Sequence, residues 1–105
     1  MKFKLIALAA LGLLCANQAA QAADANLELA QKKNCMACHA LDHKVVGPAY
    51  KDVAAKYAKD KGAADKLAAK IISGGTGVWG TMVMPPNPVT PDEAKQLAAW
   101  VLTVK

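Results

Sequence analysis

With 105 residues the chain has room for one domain and no more. Its formal charge of +5 comes from lysines scattered along the sequence, with no concentrated basic face and few aromatics, which excludes a nucleic-acid binder. So small a domain buries a modest core and commonly depends on a metal, a disulfide or a cofactor.

Lys2 and Lys4 open the chain, and Leu5 to Leu14 form an apolar run of signal-peptide length. Small and polar residues come next, with Ala20-Gln21-Ala22 as a cleavage pattern. The run is too short to span a bilayer, which takes roughly 20 apolar residues. Residues 1–22 are therefore expected to be a secretory signal, cleaved after Ala22 or Ala23, leaving residues 23–105 as the mature domain. An uncleaved anchor is the alternative. Cys15 follows Leu14 and lacks the small neighbour that precedes a lipid-modified cysteine, so lipidation is not expected. Without Lys2 and Lys4 the formal charge falls from +5 to +3, and no stable membrane insertion is expected of the mature chain.

Four helices are predicted in the mature part. The first covers about Ala25 to Lys33, with Leu29 and Ala30 inward. The second covers about Ala49 to Lys59, where Tyr50, Val53, Ala54, Tyr57 and Ala58 recur at helical spacing opposite lysines. A third spans about Ala63 to Ser73, with Ala64, Leu67, Ala68, Ile71 and Ile72 on one stripe. The last is best delimited: Thr90-Pro91-Asp92-Glu93 combines an N-cap, a proline at the first helical position and a capping-box glutamate. Ala94, Leu97, Ala98, Val101 and Leu102 mark its inner face. No strand is predicted, and the fold class is all-α.

Between the third and last helices, residues 74–89 hold four glycines and then Pro85, Pro86 and Pro88. A loop this long in so small a domain is usually functional or disordered. Val78, Trp79, Met82, Val83 and Met84 argue against disorder, because such side chains favour burial.

Cys35-Met36-Ala37-Cys38-His39 is the decisive signal, since C-x-x-C-H reads as attachment of a c-type haem. Two thiols three residues apart on a helical turn can bond the two porphyrin vinyl groups as thioethers. The next residue then places an imidazole beneath the iron. Other readings of the pair are a disulfide, a thioredoxin-like redox motif and a zinc site. The redox motif lacks its βαβ context. Zinc would need a further ligand that only His43 could offer, and His43 is expected to face solvent. For the sixth iron position the long loop offers Met82 and Met84; His/Met ligation is that of an electron carrier. Met84 precedes Pro85-Pro86, which restricts its backbone and stiffens the segment after it. Met82 is expected to pack in the core.

From Asn34 to Lys105 the chain resembles the small bacterial class I cytochromes c of the c551/c552 (c8) type. The matching stretches are Cys35 to His39, Val46-Gly47-Pro48-Ala49-Tyr50, Gly77-Val78-Trp79-Gly80, Met84-Pro85-Pro86-Asn87 and Glu93 to Leu102. The resemblance implies about four helices wrapped round one covalently bound haem c, with His39 and Met84 as axial ligands of its iron. It implies that backbone near Pro48 fixes the His39 ring, that Trp79 donates to a haem propionate, and that Asn87 contacts the Met84 sulfur. Trp100 is read as a core aromatic. Asn34 stands where many relatives have Gly, and Asn also tolerates a left-handed backbone. Met82-Val83 replaces the relatives' Ile-Pro, leaving Met82 as a rival ligand.

The function implied is that of a periplasmic electron carrier, not an enzyme, expected to act as a monomer. It would accept single electrons from a membrane quinol-oxidising complex and deliver them to a nitrite reductase, a terminal oxidase or a cytochrome c peroxidase. A haem enzyme, with a vacant sixth site and His43 as acid–base group, and a redox-sensing module are the competing classes.

Overall fold

A computed structural model describes residues 25–105; the expected signal segment and its cleavage sites lie outside the described residues. Residues 25–32 form helix α1. The chain then turns at Asn34, whose backbone is left-handed (φ 65°), into a single 3-10 turn at Cys35–Ala37. Asn at this point does what the sequence suggested, because its short polar side chain tolerates that conformation. Helix α2 runs over Tyr50–Lys56, α3 over Ala63–Ser73 and α4 over Pro91–Val101.

Helix α2 stops earlier than expected. Tyr57 leaves the helical path, and Asp60 accepts hydrogen bonds from the Gly62 N–H (2.9 Å) and from Lys66 (2.7 Å), which closes the turn into α3. At α4 the capping box is complete. Thr90 Oγ1 accepts from the Glu93 N–H at 3.1 Å, and the Thr90 N–H donates to Glu93 Oε1 at 2.9 Å.

Ala30, Tyr50, Val53, Leu97, Trp100 and Val101 form the main core, with Trp100 and Tyr50 in an edge-on pair at 5.6 Å between ring centroids. A second cluster joins Ala68 of α3 to Ala94 and Ala98 of α4. Alanine at all three positions lets these helix backbones approach closely. The inner face of α4 is Ala94, Leu97, Ala98 and Val101 as predicted, with Trp100 added, whereas Leu102 caps the helix end and is only half-buried. That of α3 is rotated slightly: Ala63, Ala68, Leu67 and Ile71 point inward, whereas Ala64 and Ile72 are exposed.

The long loop departs from expectation. It contains a two-stranded antiparallel hairpin, β1 at Gly75–Gly77 and β2 at Gly80–Met84, with a bulge between the pairs Gly75–Met84 and Gly77–Gly80. Val78 and Trp79 form its tip. Glycine-rich strands carry no alternating pattern and weak strand propensity, so nothing in residues 75–84 announced them. The fold remains a helical one to which the hairpin is an appendage.

The hairpin is fastened at its base. Gly74 adopts φ 72°, and a Cβ there would collide with the carbonyl oxygen of Met84. Only glycine lets the end of α3 pass so close to the segment leaving β2. Beyond Met84, both the backbone N–H (3.2 Å) and the side-chain amide (2.9 Å) of Asn87 donate to the Ile71 carbonyl.

A cleft lined by two cysteines, a fixed imidazole and a methionine

The 3-10 turn draws Cys35, Cys38 and His39 together: the N–H groups of Cys38 and His39 both donate to the Cys35 carbonyl, at 3.2 and 3.0 Å. Cys35 and Cys38 are not paired in a disulfide, and both are half-buried. Desolvation pushes the Cys35 thiol above its ordinary pKa, opposed by the neighbouring Tyr50 hydroxyl. Tyr50 is itself raised, first by burial and then by Cys35.

His39 is the most constrained of the site residues. Its Nδ1 lies 2.8 Å from the Pro48 carbonyl oxygen, which fixes the ring and leaves Nε2 free to bind a metal. Tyr50 stacks on the imidazole with centroids 4.8 Å apart and an interplanar angle of 21°. Gly47 presses on it as well: a Cβ there would meet Cε1 at 2.5 Å and Nδ1 at 2.9 Å. The Gly47 N–H donates to the Cys38 carbonyl at 2.7 Å, tying the 47–48 segment to the cysteine turn. The backbone group that meets the ring is the carbonyl of Pro48 itself. The contributions of Gly47 and Tyr50 to the imidazole were not anticipated, although both stood in a recognised stretch.

These residues line a cleft of about 270 Å³ together with Val46, Trp79, Met82 and Met84. Met84, the last residue of β2, is half-buried. Met82 is 62 % exposed and Val83 67 %, so the expectation that Met82 packs in the core is corrected. Among the described elements the hairpin packs chiefly on itself. Trp79 is 43 % exposed at the tip, with Lys56 Nζ 5.3 Å from its ring centroid. Asn87 donates its amide to the carbonyls of Ile71 and Pro85 (3.3 Å), not to the Met84 sulfur, so its place in the structure is to hold the Met84 segment on α3. Lys33 adds a further tie, reaching the Pro88 carbonyl at 3.3 Å and Glu93 at 3.6 Å. Trp100 is buried in the core, as expected.

His43 lies apart, with 70 % of its side chain exposed and Nδ1 2.8 Å from Asp42. Among the described residues no group of three or more His, Cys, Asp and Glu side chains converges on one point. The donor set of the cleft is therefore two thiols, one imidazole and the thioethers of Met82 and Met84, against largely apolar walls. That set fits a covalently attached haem: thiols for the vinyl groups, imidazole and thioether for iron, and Val, Trp and Pro surfaces for a flat apolar ring.

Residues 24–105 match the family model for cytochrome c. The chain belongs to that family. Over its full length it is 55 % identical to the whole of cytochrome c-551 from Stutzerimonas stutzeri. It is 62 % identical to cytochrome c-552 from Hydrogenobacter thermophilus over 77 % of this chain and 83 % of the relative. The crystal structure of wild-type Nitrosomonas europaea cytochrome c552 superposes with a TM-score of 0.73 at 56 % identity, covering 75 % of this chain and 99 % of that one. This cytochrome c is thus of the small class I c551/c552 (c8) type, a small electron-carrier haem protein with one covalently bound haem c. Among its described residues no helix is long and apolar enough to cross a membrane.

Proposed function

We propose that this cytochrome c is a periplasmic one-electron carrier, not an enzyme, with its haem bonded to Cys35 and Cys38 and its iron held by His39 and Met84. The observation that carries the reading is the His39 imidazole, pinned by the Pro48 carbonyl at 2.8 Å in the same cleft that receives Met84 from the distant β2. When bound, the haem supplies the ferrous/ferric couple, and a His/Met ligand pair raises its potential.

The chain's own residues do the rest. Pro48, Gly47 and Tyr50 keep the imidazole from rotating, so little reorganisation accompanies a change of charge. Asn87 and Gly74 hold the Met84 segment against α3, which suits a thioether that binds iron weakly and needs prepositioning. Trp79 is assigned a propionate through its indole N–H. Apolar walls around the cleft disfavour the extra charge of the oxidised state.

Exposed Val45 and Val46, with Lys44 beside them, and Met82 and Val83 of β2 offer a mixed apolar and basic surface beside the cleft. Such a surface suits a brief, small-area encounter with redox partners. We assign a membrane quinol-oxidising complex as donor and a nitrite reductase, terminal oxidase or cytochrome c peroxidase as acceptor, with the carrier acting as a monomer.

Spectra of the exported holoprotein test the ligation. Wild type shows a methionine–iron charge-transfer band, and Met84→Ala lacks it. Persistence of the band in that variant reassigns the ligand to Met82. Rapid binding of carbon monoxide or cyanide by wild type would support the enzyme reading instead.

A further inference from the structure

The β-hairpin that delivers Met84 is held at its base by Gly74 and Asn87, and its tip residues Val78 and Trp79 are exposed. A contact with the tip comes from the helical body. Lys56, in the last turn of α2, places its ammonium 5.3 Å from the centroid of the Trp79 ring. A cation over an indole face is attracted by the ring quadrupole, and tryptophan is the best aromatic partner for it. Both residues are exposed, so the contact is not a by-product of core packing.

We propose that Lys56 is a positioning residue for the electron-transfer site: its ammonium clamps the Trp79 face, holds the hairpin tip to α2 and so keeps Met84 at the iron. This rests on the ligation proposed above. The geometry gives the clamp leverage. Trp79 immediately precedes β2 and Met84 ends it, and the strand between them has Met82 and Val83 open to solvent. Gly74 and Asn87 hold the backbone at Met84, so the clamp acts on that residue through β2: a tip that leaves α2 pulls on the short strand and loosens the approach of the Met84 side chain to the cleft. A second consequence is electrostatic. The same ammonium sits beside an indole that lines the cleft, and a fixed positive charge there disfavours the oxidised, more positive state. Removing it lowers the reduction potential.

The test uses purified holoprotein of wild type, Lys56→Gln, Lys56→Arg and Lys51→Gln. Lys51 lies on the same helix, five residues earlier, and its loss removes an equal charge. Three quantities are followed: the reduction potential, the denaturant dependence of the methionine–iron band, and helix content by circular dichroism. For Lys56→Gln the population lacking the band rises about two- to five-fold at denaturant concentrations that leave the helices intact, the range an exposed cation–π contact supplies. Its potential falls. Lys56→Arg restores both properties, because a guanidinium also stacks on indole. A merely structural lysine would instead move band and helix loss together. The proposal is overturned if Lys56→Gln matches wild type in band and potential, or if Lys51→Gln reproduces its changes. A wild type without the band would instead refute the ligation itself.

Discussion

Gly47 lies flat against the imidazole of His39, so close that any Cβ at position 47 would overlap Cε1. The backbone of residue 47 is not in the left-handed region, so the requirement for glycine is one of space alone. Gly47→Ala must therefore displace either the ring or the Pro48 carbonyl that accepts from it. We expect a loss of about 1–3 kcal/mol, the usual cost of forcing an extra methyl into a packed site. Denaturant unfolding of the holoprotein measures it. The His39 ring resonances in NMR should shift as well, because the 2.8 Å hydrogen bond cannot survive unchanged.

Tyr50 joins the site to the core, stacking on His39 through one face and meeting Trp100 edge-on. Truncating it to Ala leaves a cavity beneath the His39 imidazole and should cost about 3–5 kcal/mol. Tyr50→Phe keeps both ring contacts and should lose far less. Equal losses in the two variants would show that the hydroxyl near Cys35, and not the ring stack, carries the stabilisation.

Acid should weaken the fold through Glu93 and Asp60. The Glu93 carboxylate is held below its ordinary value of 4.5, first by the Thr90 N–H and also by Lys33. Asp60 is held below 3.8 by Lys66 and the Gly62 N–H. A depressed folded pKa means that the stabilisation is complete above the ordinary value and drains away as pH falls through the folded one. Lys66 is shifted above 10.5 by Asp60, so its part is present below that value and is lost as pH rises through the folded one. All three groups face solvent, and the effects are small. Urea midpoints between pH 7 and pH 3 should decline less steeply in Glu93→Gln than in wild type. Gln keeps the capping geometry and removes the titration.

The parts of this molecule that were legible in its sequence are those with local signatures. Thr90-Pro91-Asp92-Glu93 announced α4 because a capping box is written in four adjacent residues. Cys35 to His39 announced the cofactor because thioether attachment requires that spacing. The hairpin was not legible, since Gly75–Gly77 pairs with β2 through backbone groups that every residue possesses. Nor was the exposure of Met82: its neighbours along the chain suggest burial, while what packs over β2 is decided by the tertiary arrangement. Asn87 was noticed as a site residue, but its hydrogen bonds to Ile71 and Pro85 depend on where α3 ends.

A covalent bond between porphyrin and chain underlies every role assigned to the cleft. Intact-mass measurement of the exported protein, made in cells able to mature cytochromes and extracted with acidified organic solvent, addresses that bond directly. The expected result is a red protein fraction whose mass exceeds the mature polypeptide by one haem, with the increment lost when Cys35 and Cys38 are both replaced by Ser. A colourless polypeptide with the pigment in the solvent layer, or a mass equal to the bare chain, would contradict it.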